Sequence, residues 1–139
     1  LADLLDGLAQ HLMAAGLVEY EPTGVTGDCF IETMPAAPDS AVVLSLYGGQ
    51  QPDSRLGYDY TNLQVRVRGD IDPRTSRTRA TALYNELQGL GPLTLPDGTL
   101  LLSCNAIQTP TLMGQDDQRR FEHVTNYALE IRSITAHRV

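Results

Sequence analysis

Hydrophobic positions in the stretch YTNLQVRVRGDIDPRTSRTRATALYNELQGL, residues 60–90, change period once. Leu63, Val65 and Val67 alternate with Gln64, Arg66 and Arg68. A period of two predicts a strand buried on one face. Gly69 ends the run. Asp72 then offers a side-chain oxygen to the free amides of a helix start, and Pro73 suits the first helical position, where no N–H is needed. Ala80, Leu83, Tyr84, Leu87 and Leu90 follow at helical spacing, with Gly89 as the stop. The apolar sides of this strand and helix pack together, which predicts a sheet with a helix on one side.

The same reading outlines the rest of the chain. Residues 3–16 predict a first helix with Leu5, Leu8, Leu12 and Ala15 as its stripe and Leu4 beside it. Asp3 or Asp6 sits near the positive end of its dipole, and Gly16 is the C-cap. Gly7 costs this helix about 1 kcal/mol relative to Ala, so tertiary packing must hold it. Residues 17–27 are a connector punctuated by Pro22, Gly24 and Gly27. Residues 28–34 and 41–47 flank the turn PAAPDS and predict a two-stranded antiparallel hairpin. Residues 48–59, GGQQPDSRLGYD, make a loop longer than a hairpin needs. Such a loop either contacts a partner or is merely flexible, and Arg55, Tyr58 and Tyr60 near its end are residue types that anchor interfaces.

After Leu90, Leu93 and Leu95 precede Pro96-Asp97-Gly98, and Leu100 and Leu102 follow it, as in a second hairpin. That strand runs on loosely to Thr111, where Pro110 marks an edge or an end. Residues 112–120 form a second polar loop, with Asp116 and Asp117 opposite Arg119 and Arg120. The last strand, 121–135, carries Phe121, Tyr127, Leu129 and Ile131 on one parity and Glu122, Asn126, Glu130 and Arg132 on the other. The predicted architecture is a single domain over residues 1–139. It is α+β: a two-layer sandwich with a mostly antiparallel sheet and two helices on one face, in the order α-β-β-β-α-β-β-β.

Composition fits one globular domain. The chain has 139 residues, 42% of them hydrophobic and 19% charged, enough to bury a core without disulfides or a structural metal. No apolar run approaches the ~20 residues that span a bilayer, and no signal-peptide pattern is visible. The chain starts at Leu1 rather than Met, so leading residues are expected before it. The net charge is −7, and all ten basic residues are arginine. The absence of lysine reads first as the codon usage of a GC-rich genome. An acidic chain is a poor candidate for wrapping nucleic acid tightly, though it suits a surface that DNA slides past.

Candidate chemistry is sparse. His11, His123 and His137 sit in no catalytic motif; His11 reads as a partly exposed surface residue and His137 as part of a frayed tail. Cys29 and Cys104 form no CxxC pair; two buried free thiols in a reducing compartment are the expectation, with a disulfide between them as the alternative. Asp59, Asp70 and Asp72 are the best constellation for a divalent ion, but Asp72 already has the capping role. Gly48-Gly49 lacks the residues of a phosphate loop. No catalytic residue, metal or cofactor is predicted. Arg66, Arg68, Arg74, Arg77 and Arg79 are five arginines in fourteen residues. They are either a solvated face with local ion pairs or a surface that meets an acidic partner, such as another copy of the chain. A basic patch on an acidic protein gives complementary halves, as a head-to-tail ring needs.

The segments LQVRVRG and DPRTSRTRATALYNEL, the leucine-rich hairpin, and RRFEHVTNYALEIR together resemble the tail terminator proteins of long-tailed bacteriophages, also described as minor capsid or tail completion proteins. The shared pattern covers roughly residues 41–135. The resemblance implies a non-enzymatic virion protein that forms a ring, typically a hexamer, on the finished tail tube. It implies that the ring ends tube polymerisation and offers its upper face to the head-side connector or stopper protein. DNA would pass through an acidic lumen without specific binding, and loops 48–59 and 112–120 would order on docking. The protein would sit at the head-proximal end of the tail, after assembly in the host cytoplasm, with no membrane and no cofactor involved. Candidate subunit or tube contacts on this reading are Arg55, Tyr58, Arg66, Arg68, Arg74, Arg77, Arg79, Asp116, Asp117, Arg119 and Arg120. The rivals are another head–tail joining protein (a stopper or head completion protein), a small metal-dependent enzyme using Asp59, Asp70 and Asp72, and a DNA-binding adaptor using the arginines.

Overall fold

A computed structural model describes residues 3–23 and 26–139; Leu1 and Gly24 lie outside the described residues. The elements are α1 (Leu4–Ala14), β1 (Cys29–Ile31), β2 (Ala41–Tyr47), β3 (Tyr58–Arg68), α2 (Pro73–Leu87), β4 (Leu93–Thr94), β5 (Leu100–Ala106), β6 (Thr111–Gln115) and β7 (Phe121–Arg132). One seven-stranded sheet runs β1-β2-β3-β7-β5-β4, with β6 also paired to β7. β5 and β6 follow each other along the same edge of β7. Counted as one interrupted strand, they give the predicted order α-β-β-β-α-β-β-β.

The organising pair forms as its pattern dictates. Leu63, Val65 and Val67 are buried, and the side chains between them turn to the opposite face. Asp72 caps α2 by accepting the Arg74 amide at 3.0 Å, and Pro73 takes the first helical turn. Ala80, Leu83 and Leu87 of α2 and Leu5, Leu8 and Leu12 of α1 enter one core with Val42, Leu44, Tyr127 and Leu129. Both helices therefore cover the same sheet face. Asp3 caps α1 by accepting the Asp6 amide at 2.9 Å. The chain leaves α1 through Gly16 at φ +78°, while the Leu17 amide reaches back to the Leu12 carbonyl. Gly7 is where the β4–β5 turn docks: a Cβ there would lie 2.1 Å from Asp97 Oδ1.

Three expectations change. Residues 29–31 and 41–47 pair in parallel, not as an antiparallel hairpin. Glu32 turns left-handed at φ 60°, and the 33–40 segment carries the chain back to the starting end. Arg68 and Arg120 hold that segment by donating to the carbonyls of Pro38, Asp39 and Ala36. Residues 111–115 form strand β6 rather than loop, so the turn shrinks to 116–120. The tail beyond Arg132 is not frayed. Gly57 donates its amide to the Val139 carbonyl at 2.8 Å, and Arg138 pairs with Asp59 at 2.8 Å.

Candidate assembly interface

The sheet face away from the helices is largely polar, and the 33–40 segment lies over the end of it where Arg68 and Glu122 are buried. β3 contributes Asn62, Gln64 and Arg66 to it, and β7 contributes Glu122, Asn126 and Glu130. Their side chains pair across the strands: Gln64 with Asn126 at 3.4 Å, and Arg66 with Glu122 through two bonds of 2.8 and 3.0 Å. A hollow of about 510 Å³ opens on this face between Tyr60, Asn62, Ser103, Asn105 and Glu130. A second, of about 560 Å³, lies toward the other end of the strands beside Arg66, Asp117 and Glu122.

The expected arginine cluster is divided by the sheet. Arg66 and Arg68 belong to the face away from the helices, whereas Arg74, Arg77 and Arg79 ride on α2 across the core. Most are held by partners far away in the chain. Arg68 is buried, and its guanidinium rests on backbone carbonyls; burial, with Arg120 close by, pulls its pKa down. Arg79 ties α2 to Asp28 at 2.7 Å and to the Leu17 carbonyl at 3.2 Å. Arg74 pairs with Asp72 at the helix start. Arg120 is also buried and reaches Asp116 at 2.8 Å and Asp39 at 3.0 Å. Burial alone would raise the pKa of Asp116, but the Arg120 amide and guanidinium and the Gln118 amide bring it below the usual range. Among the described residues, Arg55, Arg77 and Arg119 form no ion pair and are exposed.

β3 separates two ends of the molecule. Its eleven residues span about 33 Å at roughly 3.3 Å per step. At one end the 48–57 loop folds on the 133–139 tail. Asp53 there accepts the amides of Arg55 and Leu56, and Arg132 stacks over the Tyr58 ring at 4.6 Å. Leu56, Ile134 and Val139 are exposed at this end. The opposite end carries the 116–120 turn and Ile71, which is 74% exposed. Asp59 lies at the first end, and Asp70 and Asp72 lie beyond the second. The three carboxylates cannot converge on one ion, and among the described residues no group of three or more His, Cys, Asp or Glu side chains is arranged to hold a metal.

His123 and both cysteines lie in the core, whereas His137 is exposed. His11 is half-buried and meets Glu86 of α2 at 2.9 Å. His123 shares the inward parity of Tyr127 and Leu129 and is buried with its Nδ1 2.7 Å from the Ser76 hydroxyl. Burial, reinforced by nearby Arg77, lowers its pKa. This Ser–His pair has no route to a substrate, since both residues are buried. Cys29 and Cys104 are free and buried, and burial pushes both thiols up to about 12. The alternation of β7 would have placed His123 in the core. The arginine partners gave no local signal, because Arg66 and Glu122 stand 56 residues apart.

Comparison with known proteins adds two findings. A family model described as bacteriophage tail terminator protein matches residues 11–132. A chain from the virion of a native gene transfer agent particle superposes with a TM-score of 0.62, covering 94% of this chain and 95% of that one. Their sequences are 16% identical, so this likeness is one of fold. No curated protein matches.

Proposed function

The chain belongs to the family of bacteriophage tail terminator proteins, structural components of the virion, and from that membership we propose that it assembles into a ring that caps the tail tube. The ring ends tube polymerisation and joins the tail to the head-side connector or stopper protein. Its partners are further copies of itself, with a hexamer as the expected ring, the tube protein below and the connector above. It acts at the head-proximal end of the tail, after assembly in the host cytoplasm. The observation that carries this reading is the family match, which extends from within α1 through the last strand.

The geometry is compatible with two partners. The ends of β3 lie about 33 Å apart, and each exposes apolar side chains: Leu56, Ile134 and Val139 at one, Ile71 at the other. The open, polar part of the sheet face away from the helices suits an aqueous lumen. A net charge of −7 per copy keeps DNA phosphates from sticking to a wall they must slide past. Most arginines are engaged within the subunit, which leaves few to retain DNA.

The test is a tube-growth assay. Tail-tube protein polymerises with and without this protein, and tube lengths are measured in electron micrographs. Arrested growth with density on one tube end supports the proposal. Unchanged lengths and bare ends refute it.

A further inference from the structure

The two edges of the sheet are complementary to each other. Successive partners across the sheet place Cys29, Val42, Val67, His123 and Leu112 in one row. The β1 edge and the β6 edge thus lie at the same level on opposite sides of the molecule. Beside β1 is an apolar hollow of about 320 Å³, lined by Tyr20, Pro22, Phe30, Ile31 and Pro35 among others. On β6, Leu112 and Met113 project with 52% and 51% of their surface exposed. One edge carries a cavity and the other carries apolar side chains.

Charge follows the same division. Glu19 and Glu21 lie on the β1 side, and among the described residues neither forms an ion pair, whereas Glu32, just past β1, lines the hollow that the 116–120 turn of its own chain also lines. Among the described residues, two of the three exposed arginines without an ion pair lie on the β6 side. Arg119 is in the β6–β7 turn, and Arg77 adjoins His123, the residue paired with Leu112. Asp117, in the same turn, offsets part of that positive charge. Among the described residues, the non-glycine positions with left-handed backbone are Glu32 at φ 60° and Arg119 at φ 65°. Such conformations persist where surrounding structure enforces them, and they concentrate at functional surfaces.

We propose that the β6 edge of one copy, led by Leu112 and Met113, seats in the hollow beside β1 of the next copy. This deepens the ring reading and rests on it: it identifies the surfaces that join the subunits. A head-to-tail contact closes into a ring only if repeated rotation brings the last copy back to the first, and otherwise it builds an open helix. Because donor and acceptor edges share one row of the sheet, a neighbour can be added with little displacement along the strands, which favours closure. Arg77 and Arg119 then face Glu19 and Glu21 of the adjacent copy, and this charge pattern selects the orientation.

Site-directed cross-linking tests this contact in the full chain. Met113→Cys and Thr33→Cys, at exposed positions on the two edges, are combined in one chain and oxidised at increasing protein concentration. Each single variant serves as control, and wild-type mass is measured by light scattering at the same concentrations. The expected result is a disulfide ladder ending at the size of the wild-type ring, absent from both single variants. A wild-type ring whose double variant gives no ladder overturns this pairing and leaves the ring standing. A monomer at every concentration, with no ladder, overturns both. A ladder that never closes supports the pairing and overturns the ring.

Discussion

Tyr127 shows how a single residue can fit the core in shape but not in chemistry. Its ring is fully buried, and its hydroxyl has no hydrogen-bond partner among the described residues. A buried polar group without a partner loses its hydration for nothing in return. Tyr127→Phe therefore keeps the packing and removes the penalty. Thermal melting should show equal or higher stability; a loss above about 1 kcal/mol would show that the hydroxyl is used. His123 gives a second residue-scale expectation. Its folded pKa lies below the ordinary value of 6.5, so the unfolded chain binds the proton more readily. Its contribution is intact above that value and is lost as pH falls through the lower, folded-state one. Stability measured by denaturant titration should decline on acidification below about pH 6.5, and His123→Gln should flatten that part of the profile. Asp59 and Asp72 are held below the usual carboxylate range by Arg138 and Arg74 respectively, so any loss from them begins only at more acidic pH.

Elements with local signals were legible in the sequence. The β3–α2 pair was readable because alternation, a capping aspartate, a first-turn proline and helical spacing all agree. α1 was readable too, and Gly7 within it has a tertiary reason. By propensity alone, Gly7→Ala should stabilise a helix by about 1 kcal/mol. Here the new methyl group would meet Asp97, whose carboxylate is fixed by the amide and hydroxyl of Thr99. The sign should reverse: Gly7→Ala lowers the melting temperature, and adding Asp97→Gly recovers part of the loss. A stabilised single variant would contradict this packing. The parallel β1–β2 pairing was not legible, because Arg68 and Arg120 pin the 33–40 segment from distant positions. β6 was missed for another reason. It is an exposed edge strand interrupted by a bulge near Gly114, so no buried face imposes an alternating pattern. The candidate interface residues were identifiable by type, but their partners were not. Only the folded chain separates Arg77 and Arg119 from the arginines engaged in internal ion pairs.

At the scale of the whole molecule, the fold presents two separated ends, two unlike sheet edges and one helix-free, largely polar face. Each has a place in the proposed ring between a tube and a connector. The end formed by the 48–57 loop can be tested without disturbing the core. Arg55→Glu with Leu56→Asp changes two exposed side chains, so the melting temperature should hold while tail joining fails in a complementation assay. Normal virions from that variant would exclude this end from the junction. Electron microscopy of purified tail tubes mixed with the purified protein tests the capping of tubes by this protein most directly. The expected result is a closed ring of this protein on one end of each tube. Tubes whose ends stay bare while the protein remains free at saturating concentration would contradict it.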